Sequence, residues 1–148
     1  MLKLDEIPVA TAIDPRPDGV DIPFWEGMNN GELHMQRCSS CKTWWWSPVW
    51  RCNECGSWDL EWPEVPMRGI VYSWVRTHQP FVPAMASIVP YVSLLVELPD
   101  AGNRRIFGIL FGEEGTLEIG SEVTGVIQPA SDLTRGMPIL RWKLEDWK

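Results

Sequence analysis

Arg37-Cys38-Ser39-Ser40-Cys41-Lys42 and Arg51-Cys52-Asn53-Glu54-Cys55-Gly56 are the two stretches that decide how this chain is built. Each is a C-x-x-C knuckle, a tight turn offering a pair of thiolates, and ten residues separate Cys41 from Cys52. Two knuckles supply the four soft ligands that a tetrahedral Zn²⁺ takes, and the spacer is long enough for a short ribbon to return to the ion. The chain has 4 cysteines in all, so Cys38, Cys41, Cys52 and Cys55 form a complete set. Four thiolates saturate the ion and leave no position for water or substrate. The expected site is therefore structural: one Zn²⁺ stapling a segment too small to have its own core. Iron in the same ligand set and C-x-x-C redox pairs are weaker readings, because the βαβ pattern that accompanies such redox pairs is missing.

Length and charge narrow the class. At 148 residues the chain allows one medium domain, or a metal-stapled module plus a compact one. Met1 to Ile22 mixes acids with Pro8, Pro15 and Pro17 and lacks the basic start and apolar stretch of a secretory signal. Reduced, metal-bound cysteines then point to the cytoplasm, and no apolar run is long enough for a membrane helix. A net charge of −7 counts against a phosphodiester backbone as the main ligand. Arg37, Lys42 and Arg51 nonetheless surround the cysteines. They read first as cations offsetting a Zn(Cys)₄ centre, and second as a patch for a phosphate-bearing small molecule.

Outward from the knuckles, the text divides in three. Residues 1–34 form a proline-punctuated acidic arm and a short helix, for which the pattern predicts Pro23 to His34. Residues 35–66 form the ribbon, including the run Trp44-Trp45-Trp46. Residues 67–148 carry alternating strands: Ile70 to Val75, Tyr91 to Leu98, Arg104 to Phe111, Glu122 to Gln128 and Ile139 to Leu144. Five short strands cannot make a good two-sided sandwich, but they can close an OB-type barrel. The fold expected is mainly β: an N-terminal helical arm, a rubredoxin-like zinc ribbon, and a C-terminal five-stranded OB-type barrel with a tail.

These landmarks, in order, resemble a known family. Phe24-Trp25-Glu26 opens the helix, Gly31-Glu32-Leu33 precedes the first knuckle, and both C-x-x-C pairs follow. Gly69-Ile70-Val71-Tyr72-Ser73, Pro90-Tyr91-Val92, Val96-Glu97-Leu98 and Leu117-Glu118-Ile119-Gly120-Ser121-Glu122-Val123 then mark the barrel. Residues 22–144 are in this way similar to the acyl-CoA-associated zinc-ribbon and OB-fold family, domain of unknown function 35. The resemblance implies a partner rather than a reaction: accessory subunits of thiolase-fold enzymes that make or break carbon–carbon bonds on acyl-CoA, including thiolases, acyltransferases and the retro-aldolases of steroid side-chain degradation. It implies a hetero-oligomer, no catalytic residue in this chain, and a CoA ester as a shared ligand. Many relatives carry an aromatic-Pro-Pro-Arg stretch where this chain has Trp46-Ser47-Pro48-Val49-Trp50-Arg51.

Arg37, Lys42, Trp46 and Arg51 are the candidate CoA contacts, with indoles free to stack and cations to meet phosphate. The alternative for the tryptophans is that they cover the metal site and its seam with the barrel. Phe81 and Met85, in an apolar loop, and Trp147, in the tail, are the candidate partner contacts. His34 and His78, the only 2 histidines, have no nucleophile or orienting carboxylate marked near them in sequence. Adjacent Arg104 and Arg105 read as a solvated hairpin base. The rival function is a single-stranded nucleic-acid-binding module, since ribbons and OB barrels both do that work.

Overall fold

The computed structural model describes residues 1–9 and 19–147, so the predicted arm is seen only in part. One helix, α1 (Ile22–Asn29), is followed by ten strands: β1 (Leu33–His34), β2 (Gln36–Cys38), β3 (Trp44–Trp45), β4 (Leu60–Glu61), β5 (Glu64–Val65), β6 (Arg68–Thr77), β7 (Tyr91–Leu98), β8 (Arg104–Ile109), β9 (Glu122–Gln128) and β10 (Ile139–Leu144). The helix starts where Pro23 suits its first turn and stops short of the predicted His34. Gly31 takes a left-handed φ of 78°, which turns the chain so that Leu33 and His34 pair instead with Val65 and Glu64. Pairing with a strand thirty residues away thus overrides the local helical period.

The large sheet runs β10-β9-β6-β7-β8. A parallel bridge between Leu110 and Trp142 brings β8 back to β10, which closes the strip into the OB barrel. Alternation along β7 is complete: Val92, Leu94, Val96 and Leu98 are buried, whereas the intervening residues are half-buried. With Val71, Ile106, Val123, Leu140 and Trp142 they fill the barrel. A bulge between Val71 and Ser73 in β6 sharpens the bend. The same core continues through Phe24, Met28, Leu33 and Met35, so helix and ribbon share it with the barrel.

A second, smaller cluster lies outside the barrel. Ile7, Met85 and Ile88 pack there against Leu2, Val82, Tyr91, Ile109 and Phe111. The N-terminal residues are thereby anchored to the barrel, where the sequence suggested an arm without periodic structure. Arg141 and Gln128, both buried, donate to the Ile7 carbonyl, and Arg141 also donates to that of Pro8.

Candidate metal centre

The ribbon sheet runs β3-β2-β4, with Cys38 at the end of its central strand. Both knuckles fold alike. The Lys42 N–H donates to the Cys38 carbonyl and the Gly56 N–H to that of Cys52, each at 2.9 Å. Cys38 and Cys52 in turn donate to the carbonyls of Thr43 and Ser57. The residue after each second cysteine is left-handed, at φ 64° for Lys42 and 79° for Gly56. Glycine suits that position, and lysine occupies it at some steric cost.

These turns bring the sulfurs together. Cys38 and Cys55 Sγ lie 3.6 Å apart, as do those of Cys41 and Cys52, and all four sulfurs fall within 4.8 Å of one another. Sulfurs about 2.3 Å from a central ion would stand about 3.8 Å apart at the corners of a tetrahedron, so the donor set fits a metal. The Cys41 N–H holds the Cys38 thiol below the usual range; burial opposes this and the Ser40 N–H assists. At Cys52 burial raises the pKa, but the N–H groups of Cys55 and Glu54, the Cys41 thiol and the Trp45 side chain outweigh it, leaving about 6. Cys55 is helped by the Ser57 N–H, yet burial and the three neighbouring thiols push it up to about 11. One sulfur ionises early and another is kept protonated by its neighbours, a repulsion that a bound cation relieves.

The surroundings of the centre divide the tryptophans. Trp44 and Trp46 pack on the main core, Trp46 against Phe24 at 4.8 Å between ring centroids. The Trp45 indole N–H is buried without a nitrogen or oxygen acceptor among the described residues and bears on Cys52. Trp50 and Trp58 are exposed. Arg104 is half-buried and engaged rather than free in solvent: its Nε donates to the Trp44 carbonyl at 2.6 Å, and its guanidinium lies 4.9 Å from the Trp45 ring centre. Gln36 clamps the spacer, its amide exchanging two 2.8 Å bonds with the backbone of Val49. Sequence reasoning missed Gln36 and read Arg104 only as part of a solvated hairpin base. Gln36, between Met35 and Arg37, carried no signal of a clamp, and the Arg104–Arg105 pair carried none of a seam contact.

The candidate CoA contacts are not gathered at one point. Arg37 pairs with Glu61 at 2.6 Å and Lys42 with the same carboxylate at 3.3 Å. Arg51 folds on its own knuckle, donating to the Gly56 carbonyl. Trp46 lines a cleft of about 570 Å³ with Phe24, Trp25, Ile106 and Leu140. Of the candidate partner contacts, Phe81 is 86% exposed, whereas Met85 is 1% exposed and cannot meet a partner in this conformation, because it fills the cluster beneath its loop. Trp147 is half-buried and turned back on the barrel, donating to Glu122 and to the Val123 carbonyl, with Arg68 over its ring. His78 is exposed.

Comparison with known proteins follows from this architecture. A family model described as "ChsH2, C-terminal OB-fold domain" matches residues 62–128. A "Probable enoyl-CoA hydratase alpha subunit" of Thermomonospora curvata is 38% identical over 114 residues, covering 76% of this chain but 35% of that protein. The chain thus spans about a third of that relative's length. Among solved structures, a chain of the "Ltp2-ChsH2(DUF35) aldolase" matches with TM-score 0.75 at 29% identity, over 88% of this chain and 98% of that one. A DUF35 protein of unknown function from Sulfolobus solfataricus shares the fold, with TM-score 0.58 at 16% identity, over 86% and 87% of the two chains. A four-cysteine knuckle pair fronting an OB barrel defines the class of protein. Within that class, this chain is similar to DUF35 OB-fold proteins.

Proposed function

We propose that this chain is a zinc-stapled, non-catalytic subunit of a hetero-oligomer whose partner, a thiolase-fold protein, carries out carbon–carbon bond chemistry on an acyl-CoA. One observation carries this reading: the near end-to-end likeness to a chain of the Ltp2-ChsH2(DUF35) aldolase. The relative described as an enoyl-CoA hydratase subunit agrees in substrate class. Cys38, Cys41, Cys52 and Cys55 would hold the ion. An ion with four thiolate ligands has no open site, so it supplies folding free energy rather than chemistry.

Arg37, Lys42, Arg51 and Trp46 are the candidate contacts for a CoA ester shared with the partner. Acyl-CoA affinity of the assembled complex should then fall with ionic strength and with neutralisation of these cations, which calorimetry reads directly. The reading as a whole is tested by purification from the native host and identification of the stoichiometric companion. A thiolase-fold protein that becomes soluble or active only with this chain supports it. Turnover of an acyl-CoA by the isolated chain, at a rate no companion changes, overturns it.

A further inference from the structure

Along most of its length β8 is hydrogen-bonded on one side only. The Leu110 N–H donates to the Val92 carbonyl at 3.0 Å, and this fixes the phase of the β7–β8 ladder. In an antiparallel pair such bonds recur at alternate residues. The backbone groups of Ile106 and Gly108 therefore face β7, and those of Arg105 and Phe107 face the other way. Contact with β10 comes further on, at the Leu110–Trp142 bridge and the 2.9 Å bond from the Phe111 N–H to the Trp142 carbonyl. Among the described residues no backbone hydrogen bond is seen to the outward N–H and C=O groups of Arg105 and Phe107.

This unpaired edge borders the cleft walled by Phe24, Trp25, Trp46 and Leu140, and Phe107 itself lines it, 76% exposed. Asp21 lines it too. Its Oδ2 accepts the Trp25 indole N–H at 2.9 Å, whereas its buried Oδ1 meets no donor among the described residues. An open strand edge beside an apolar cleft is the arrangement that strand addition uses: main-chain bonds give affinity and a side pocket gives selectivity. A small apolar molecule would suit the cleft but leave the edge unsatisfied, and only another extended backbone matches donors and acceptors two residues apart. A second copy of the chain is opposed by a net charge of −7 on each molecule, while the same charge and the Asp21 carboxylate favour a basic occupant.

We propose that the β8 edge and this cleft bind an extended segment of a partner polypeptide. The segment adds a strand along Arg105 to Phe107, inserts an apolar side chain against Trp25 and Trp46, and sets a lysine or arginine beside Asp21. The proposal deepens the reading of the chain as a docking subunit, yet its peptide chemistry is testable without that partner.

The probe is a displayed library of random dodecapeptides selected on the full chain, with the best peptide then synthesised for titration and amide hydrogen exchange. Selected sequences should pair an apolar residue with a nearby lysine or arginine. The bound peptide should slow exchange of the Arg105 and Phe107 amides by about tenfold or more. Phe107→Pro removes an edge N–H that serves no ladder bond and should weaken binding by about tenfold or more, while Phe107→Thr, which keeps that N–H, should cost less. Asp21→Asn, which retains the size and an oxygen for the Trp25 indole N–H, should abolish the preference for a basic residue, a second reading that stands if the proline variant does not fold. The proposal is overturned if no peptide is enriched over an unrelated protein of equal charge, or if the peptides protect another surface. It is equally overturned if sedimentation shows the edge occupied by a second copy. Any of these results leaves the co-purification experiment untouched, and failure there leaves this one standing.

Discussion

His34 holds both ring nitrogens against acceptors: Nδ1 lies 2.7 Å from the Trp62 carbonyl and Nε2 2.8 Å from the Glu32 carboxylate. A neutral imidazole has one donor, so the two bonds are satisfied together by the imidazolium. Burial lowers its pKa, but the Glu32 and Trp62 bonds and the charges of Glu32 and Glu64 raise it, for a net rise above 6.5. A raised folded pKa means that the stabilisation is fully present below the unfolded value and is lost as pH climbs through the folded one. Thermal melts should accordingly fall as pH rises above about 6.5, and His34→Gln should flatten that slope. The cysteines make a separate prediction. Cys52→Ser should abolish stoichiometric metal on elemental analysis and speed amide exchange throughout the ribbon. Wild-type protein with no bound ion and four freely titratable thiols would contradict the zinc reading.

Between elements, the ribbon–barrel joint depends on Arg104, whose bond to the Trp44 carbonyl and stacking near Trp45 cross the seam. Arg104→Ala should raise exchange at Trp44 and Trp45 more than at the β6–β7 ladder and cost about 1–3 kcal/mol, because it leaves a half-buried carbonyl unpaired. Nothing in the sequence announced this role, since its partner lies sixty positions away. The strand Tyr91 to Leu98 was legible because one of its faces is buried, which imposes period two, and Glu122 to Gln128 and Ile139 to Leu144 likewise occupy the predicted bounds. The helix was overread for the opposite reason, because β1 takes Leu33 and His34 for a pairing that no local window contains. In the ribbon, spacing alone revealed the four cysteines that the fold gathers within 4.8 Å. The Gln36 clamp and the open side of β8 depend on cross-strand geometry, which sequence periodicity does not encode.

Over the whole molecule, the apolar surface left exposed and the net charge of −7 suit an acidic subunit that completes itself by docking. Phe81, outside the cluster that buries Met85, is a clean probe of that idea. Phe81→Asp should weaken the complex with the co-purified partner by about tenfold or more in a binding titration while shifting the melting temperature little. An unchanged affinity would move the contact elsewhere. The buried guanidinium of Arg141 has one further consequence. It is 5% exposed, burial draws its pKa down to about 10, and its seen partners are the Gln128 amide and the carbonyls of Ile7 and Pro8. Among the described residues, those carbonyls complete the shield that the Gln128 amide begins for this cation in its apolar layer. The opening residues are thus not trimmable for convenience: a gene shortened to begin at Gly19 would strip the shield, and the protein it encodes should be insoluble even though every strand of the barrel is still written in it.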